Sequence, residues 1–182
     1  MKATQENSNL VEFFQTVLKL KTVHRQGWKD KLDMKNPESV ADHCYSMSVM
    51  AMVLSDLKKL DTAKIIKMSL LHDLAETVTG DIVPNQKQKQ QKEKLESTAM
   101  KKILKCLGKT QRTEYWKIWQ EYQKNATKEA KLLHQIDKLE MAAQAKEYAN
   151  RGFAKNQIAT FLKSAKSEIS DPKLQKILSG FL

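Results

Sequence analysis

Three short phrases of this 182-residue chain hold its reactive groups: His43 in Val40-Ala41-Asp42-His43, the doublet His72-Asp73 in Leu70-Leu71-His72-Asp73, and Asp137 in Gln135-Ile136-Asp137-Lys138. Each sits on or beside the apolar stripe of a segment with helical periodicity, where an unpaired ionisable group is costly. A divalent metal would compensate for them. Two neutral imidazoles and two carboxylates offer mixed nitrogen and oxygen donors and cancel the charge of the ion. Such a site leaves positions for water and substrate, which is what metal-assisted hydrolysis requires.

Two more acids follow the doublet. Glu76 lies one helical turn after His72 and three residues after Asp73, so the three groups can border one pocket. Thr77-Val78-Thr79-Gly80 then brings Asp81 out beside it. Paired acids near a metal are a proton-handling device, one orienting the attacking water and the other managing the leaving oxygen.

These groups need helices to hold them. Leu10, Phe13, Phe14, Val17 and Leu18 give an amphipathic helix over about Asn7 to Leu20, and Lys21 to Lys35 shows no clean period and reads as a loop. Asn36-Pro37-Glu38 supplies an N-cap, a proline at the first helical position and an early acid. The helix that follows buries Val40, Cys44, Met47, Ala51 and Leu54, and its adjoining line turns His43 inward. Asp61 caps the next helix, which runs through Ile65, Met68 and His72 and stops at Gly80. Asp81 to Pro84 is a turn, and the Lys/Gln-rich run Asn85 to Lys94, with Lys87, Lys89, Lys92 and Lys94, reads as a solvated face or loop, the alternative being a mobile lid near an anionic ligand. Further helices are expected over Leu95 to Leu107, Thr113 to Gln123 and Thr127 to Ala149, the last setting Leu133, Asp137 and Met141 four apart on one face. Tyr115, Trp116, Trp119 and Tyr122 are assigned to packing. Two short helices finish the chain over Gln157 to Leu182, Asp171-Pro172 opening the second.

Composition agrees with an all-α class. Glycine (5) and proline (3) are scarce, and the length suits one domain with a proper core. Lys and Arg exceed Asp and Glu by 32 to 21, a formal charge of +11 that draws anions such as phosphorylated small molecules. Cys44 and Cys106 are far apart and outside any CxxC spacing, so reduced thiols and a cytoplasmic location are expected. No apolar run approaches a membrane span, and no membrane partner is expected.

The order His43, His72-Asp73, Asp137 resembles the H…HD…D signature of the HD-domain metal-dependent phosphohydrolases. More narrowly, Asn36-Pro37-Glu38-Ser39-Val40-Ala41-Asp42-His43, Leu71-His72-Asp73-Leu74-Ala75-Glu76 and Gly80-Asp81-Ile82-Val83-Pro84 resemble the YfbR-type 5'-deoxynucleotidases and their HD-domain-containing relatives. The resemblance runs from about Leu10 to Tyr148. It implies an HD-domain helical bundle spanning 1–182, with a motif-bearing core over about 10–150 and a C-terminal helical extension over 151–182. It also implies a homodimer and one divalent metal ion (Mn, Co, Fe, Ni or Zn) held by His43, His72, Asp73 and Asp137.

Carried over by position, Glu76 and Asp81 match the two catalytic acids, and Arg25 and Trp28 match an arginine and a tryptophan that bind phosphate and sugar. Those two are adjacent in the bacterial deoxynucleotidases, whereas Gln26-Gly27 separates them here. The implied reaction releases phosphate from (deoxy)ribonucleoside 5'-monophosphates. The alternatives keep the site and change the nucleotide to a cyclic nucleotide, a nucleoside triphosphate or a polyphosphorylated guanosine, or make the chain a basic nucleic-acid-binding protein with a structural metal. No nucleic-acid-binding motif supports the last, so nucleic acid is not an expected partner. His134, three residues before Asp137, is not taken as a ligand, and His24 and Lys138 are read as solvent-facing.

Overall fold

The computed structural model describes residues 2–83 and 88–182, with side chains from Asn7 onward except that of Lys155. Pro84, and Asn85 to Lys87 of the Lys/Gln-rich run, lie outside the described residues. The described chain is helical: α1 Lys2–Lys19, a 3-10 turn Leu20–Thr22, α2 Gln26–Leu32, α3 Val40–Lys58, α4 Thr62–Leu71, α5 Glu76–Thr79, α6 Lys89–Leu104, α7 Lys109–Gln123, α8 Lys128–Asn150, α9 Lys155–Glu168 and α10 Pro172–Ser179. Among the described residues there is no strand, only one isolated antiparallel bridge between His24 and Ser39.

That bridge changes two expectations. Val40 N–H donates to the Val23 carbonyl at 2.8 Å and Arg25 N–H to that of Glu38 at 3.1 Å, which keeps 37–39 out of the helix. The helix therefore starts at Ser39 rather than Asn36. Ser39 Oγ accepts from Asp42 N–H at 3.2 Å and Asp42 Oδ2 accepts from Ser39 N–H at 2.9 Å, a reciprocal capping box. The segment read as a loop from Lys21 to Lys35 contains α2, whose Trp28 and Leu32 are buried. Its seven residues are too few to show a period, and packing rather than propensity makes them helical. α6 and α7 begin earlier than expected, at Lys89 and Lys109.

The core is built on α3, which packs against α4 and α8, while α8 packs in turn against α9. Met47 and Leu54 of α3, Ile65 and Met68 of α4, and Leu133 and Ile136 of α8 meet in one buried cluster, which also takes in Leu174 and Leu178 of α10. A second cluster joins Trp28 and Leu32 of α2 to Ala145 and Tyr148 of α8 and Ile158 of α9. α8 thus touches both clusters, and a rigid rod between them is a suitable mount for a site.

Candidate active site

The expected helix from Asp61 to Gly80 is broken just after Leu71, and the break builds the site. The His72 carbonyl accepts a hydrogen bond from the Trp119 indole N–H at 3.2 Å instead of closing the next helical turn. Bonding over 71–78 tightens to three-residue steps, Glu76 N–H donating to the Asp73 carbonyl at 2.9 Å. Side chains three apart eclipse in such a turn, so Asp73 and Glu76 come to one side. Gly80 closes α5 at φ 73°, a left-handed conformation that glycine adopts without strain. The segment after it is tied down twice: Asp81 Oδ2 accepts from Gln26 N–H at 2.7 Å, and Lys92 Nζ donates to the Ile82 carbonyl at 2.8 Å.

Three elements converge on this turn. His43 comes from α3, His72 and Asp73 from the end of α4, and Asp137 from α8. Donor atoms of His43, His72 and Asp73 all lie within 4.8 Å of one another. His43 Nε2 stands 3.3 Å from Asp137 Oδ1 and His72 Nε2 stands 3.0 Å from Asp73 Oδ2. Neither Nε2 is aligned for a hydrogen bond, and both are buried without a partner. Their other nitrogens are engaged: His43 Nδ1 lies 2.6 Å from Glu140 Oε2, and His72 Nδ1 lies 2.6 Å from the Ser69 carbonyl.

A carbonyl only accepts, so His72 carries its proton on Nδ1 and, when neutral, presents a lone pair at Nε2. Buried polar atoms are rarely left unpaired, and two imidazole nitrogens facing two carboxylates fit a divalent cation. The residues present suit the ion that the motif implies.

The electrostatics point the same way. Burial and the Arg25 charge oppose a protonated His43, yet Asp137 and Glu140 outweigh them and carry its pKa up to about 9. Burial likewise opposes protonation of His72, which Asp73 overcomes, raising it. Burial also works against the ionised forms of Asp73 and Asp137, but His72 holds the first and His43 and Lys138 hold the second below the ordinary carboxylate range. A field that attracts protons this strongly also attracts a metal ion. Glu76 differs. Burial, then the Asp73 and Asp81 charges, push its carboxyl up to about 10, and its Oε2 has no partner.

His72, Asp73, Glu76 and Asp137 line a cleft of about 300 Å³. Its lining carries the charged Asp73, Glu76, Asp81 and Asp137 with Arg25, Lys92 and Lys138, together with Gly27, Val83, Met141 and Phe161. Arg25 lines the cleft beside the proposed ligands, its Nη1 3.6 Å from Asp73 Oδ2. Trp28 touches the cleft but is 2% exposed, its indole N–H donating to Glu38 Oε1 at 2.8 Å and its ring 4.1 Å from that of Phe161. α2 is what places both residues, since one helical turn covers the Gln26-Gly27 spacing.

A family description for the HD domain matches residues 17–178. The chain belongs to the HD-domain family. It is 36% identical over 172 residues to a human protein named 5'-deoxynucleotidase HDDC2, covering 94% of this chain and 83% of that protein. It is 38% identical over 181 residues to the Dictyostelium discoideum protein of the same name, covering 93% of this chain and 95% of its relative. A crystal structure of a Pyrococcus horikoshii protein superposes with a TM-score of 0.76 at 31% identity, covering 94% of this chain and 97% of the other.

Within this HD domain the sequence motifs left several residues unread. Lys92, expected in a solvated run, turns inward to 3.5 Å from Glu76 Oε1 and 3.3 Å from Glu96 Oε1. Lys138, expected on the surface, lines the cleft with its Nζ 3.2 Å from Asp137 Oδ2. Tyr122, assigned to packing, is buried with its ring 5.2 Å from that of His72 and stacked at 4.1 Å on His134. His134 Nε2 lies 2.9 Å from the Tyr122 carbonyl, which gives that ring a structural partner. His24 is half-buried, with Nδ1 3.1 Å from the Pro37 carbonyl. Glu38 was read only as the early acid of a helix start and Glu140 carried no motif, although Glu140 falls one turn after Asp137 on α8 and could have been found by that spacing.

Proposed function

We propose that this HD domain removes phosphate from (deoxy)ribonucleoside 5'-monophosphates, releasing nucleoside and inorganic phosphate. One observation carries the reading: two buried imidazole nitrogens without hydrogen-bond partners face two carboxylates that line a small cleft. The human and Dictyostelium relatives named 5'-deoxynucleotidase support it. A cleft of about 300 Å³ suits a mononucleotide, with the phosphate against the charged side chains and the nucleoside against Met141 and Phe161.

His43, His72, Asp73 and Asp137 would hold the ion, with Mn, Co, Fe, Ni and Zn all compatible with such donors. When bound, it supplies Lewis acidity, drawing charge from a phosphoryl oxygen and lowering the pKa of water. Arg25 binds the phosphate with a planar fork that stays charged. Glu76 orients the attacking water from inside the cleft, and Asp81, fixed by Gln26 N–H, assists the departing 5'-oxygen, which takes up a proton released by the attacking water. Trp28 closes the sugar side and is held in place by Glu38.

The reading treats 1–182 as one domain, because α10 enters the same core as α3 and α8. Both cysteines are free, as a reducing cytoplasm would keep them, and among the described residues no helix is long and apolar enough to cross a membrane. The homodimer would use the outer face of α3, where Tyr45, Val49, Met52, Val53 and Leu57 form an exposed apolar stripe. Light scattering should find a dimer that Val53→Lys converts to a monomer.

The test of activity is phosphate release from matched deoxy- and ribo-5'-monophosphates across a panel of divalent metals. The parent should release phosphate only with a metal present, and Asp73→Ala should not. Equal turnover in the two proteins would overturn the site.

A further inference from the structure

We infer that Glu140 is a positioning residue for the metal centre, its carboxylate locking the ring of His43 in the tautomer that turns Nε2 towards Asp137, His72 and Asp73. The inference rests on the metal reading given above.

Geometry carries it. Glu140 is 2% exposed and His43 fully buried, and Glu140 Oε2 lies 2.6 Å from His43 Nδ1. An ionised carboxylate offers no proton, so this contact places the hydrogen on Nδ1. A neutral imidazole with its hydrogen there has its lone pair on Nε2, the atom left without a hydrogen-bond partner and facing Asp137. The opposite tautomer would put a hydrogen where the ion should sit. Glu140 follows Asp137 by one turn of α8, so one rigid helix carries both the proposed ligand and the group that aims the neighbouring one.

His72 provides the contrast. Its Nδ1 faces the backbone carbonyl of Ser69, three residues away, so the fold of its own segment fixes that ring. His43 depends on a side chain 97 positions distant. An anionic acceptor also makes the ring a stronger donor at Nε2 than a neutral carbonyl would, and loss of such a partner typically weakens metal binding about 10–100-fold.

Glu140→Gln keeps shape and volume but removes the charge and lets the amide present either an oxygen or an N–H to His43. Mn(II) affinity measured by competition with a chelator should fall about 10-fold or more. Nitrogen-detected NMR of the metal-free protein, recorded above pH 9 so that the His43 ring is neutral, should show the His43 tautomer redistributing. Saturating Mn(II) should restore turnover in Glu140→Gln but not in Asp73→Ala, which separates aiming a ligand from being one.

Unchanged Mn(II) affinity and tautomer in a folded Glu140→Gln protein would overturn the inference and leave the metal reading standing. A parent that binds no ion would overturn both. Glu140→Asp serves as a second variant, retaining the charge on a shorter arm. If Glu140→Gln fails to fold, Glu140→Asp must bind Mn(II) more weakly than the parent, and parent-like affinity would overturn the inference.

Discussion

Asp137 and Asp171 are both half-buried acids on helices, and their surroundings differ in a way that separates chemistry from architecture. Asp171 is the N-cap of α10, accepting from Lys173 N–H at 3.0 Å and Leu174 N–H at 3.2 Å, and it also pairs with Lys58. Around it the Gln135 side-chain oxygen accepts from the N–H groups of Ser170 and Asp171, each at 2.8 Å. Among the described residues, none of the buried side-chain atoms left without a hydrogen-bond partner lies there. At Asp137 the adjoining nitrogen of His43 has none, nor does Nε2 of His72, nor Oε2 of Glu76 beyond it. Satisfied groups stabilise a fold, whereas a cluster of unsatisfied ones persists only because the rest of the core supports it.

The comparison can be broken first at Glu76. Glu76→Gln should lower turnover about 10²–10⁴-fold, the range associated with loss of a positioned acid or base. The same substitution should stabilise the metal-free protein. Folding raises the Glu76 pKa from 4.5 to about 10, so between those values the folded state keeps a proton that the unfolded chain releases, and stability falls as pH rises. The melting temperature of metal-free Glu76→Gln should therefore exceed the parent's by a margin that widens from pH 5 to pH 9. A margin that narrows would remove Glu76 from the strained set.

A smaller effect is expected at Lys92, which ties the Ile82 carbonyl and stands beside Glu76. A hydrogen bond to a charged group is worth about 1.5–3 kcal/mol, so Lys92→Met should cost about 10–100-fold in kcat. A pH–rate profile should also move, since the Lys92 charge favours ionised Glu76. Parent-like kinetics would return Lys92 to the solvated face.

The smallest effect on turnover should come from Asp171→Ala, which leaves kcat unchanged while costing about 1 kcal/mol of stability through the lost cap, or about 2–4 °C in melting temperature. Its partners, Lys58 foremost, lower the Asp171 pKa from 3.8 in the folded protein. The stabilisation is thus present above that value and disappears as pH falls through the folded one. Thermal melts of parent and variant should converge in acid. A loss of turnover at pH 7 would dissolve the distinction between the two acids.

How far these two regions could be read in the sequence differs as well. His43 and Asp137 were legible because helical periodicity alone sets them on inward lines, and Asp171-Pro172 because a capping acid before proline is a local signal. The break after Leu71 was not, since it depends on the Trp119 indole N–H, which arrives from a helix far along the chain. α2 was hidden for a related reason: Trp28 and Leu32 are helical because they pack on Ala145, Tyr148 and Ile158. Lys92 looked like its neighbours in composition, and only the path of the segment after Gly80 turns it inward. Sequence pattern thus reports which face a residue occupies on its own helix, while the partner across the cleft is a tertiary fact.

The hydrogen bond from Trp119 to the His72 carbonyl has a practical consequence. It couples an indole, whose emission responds to its N–H partner and local field, to the backbone of a proposed ligand. The protein thereby carries its own optical probe, and titrating an ion into unlabelled material should be visible as a change in fluorescence that Trp119→Phe diminishes.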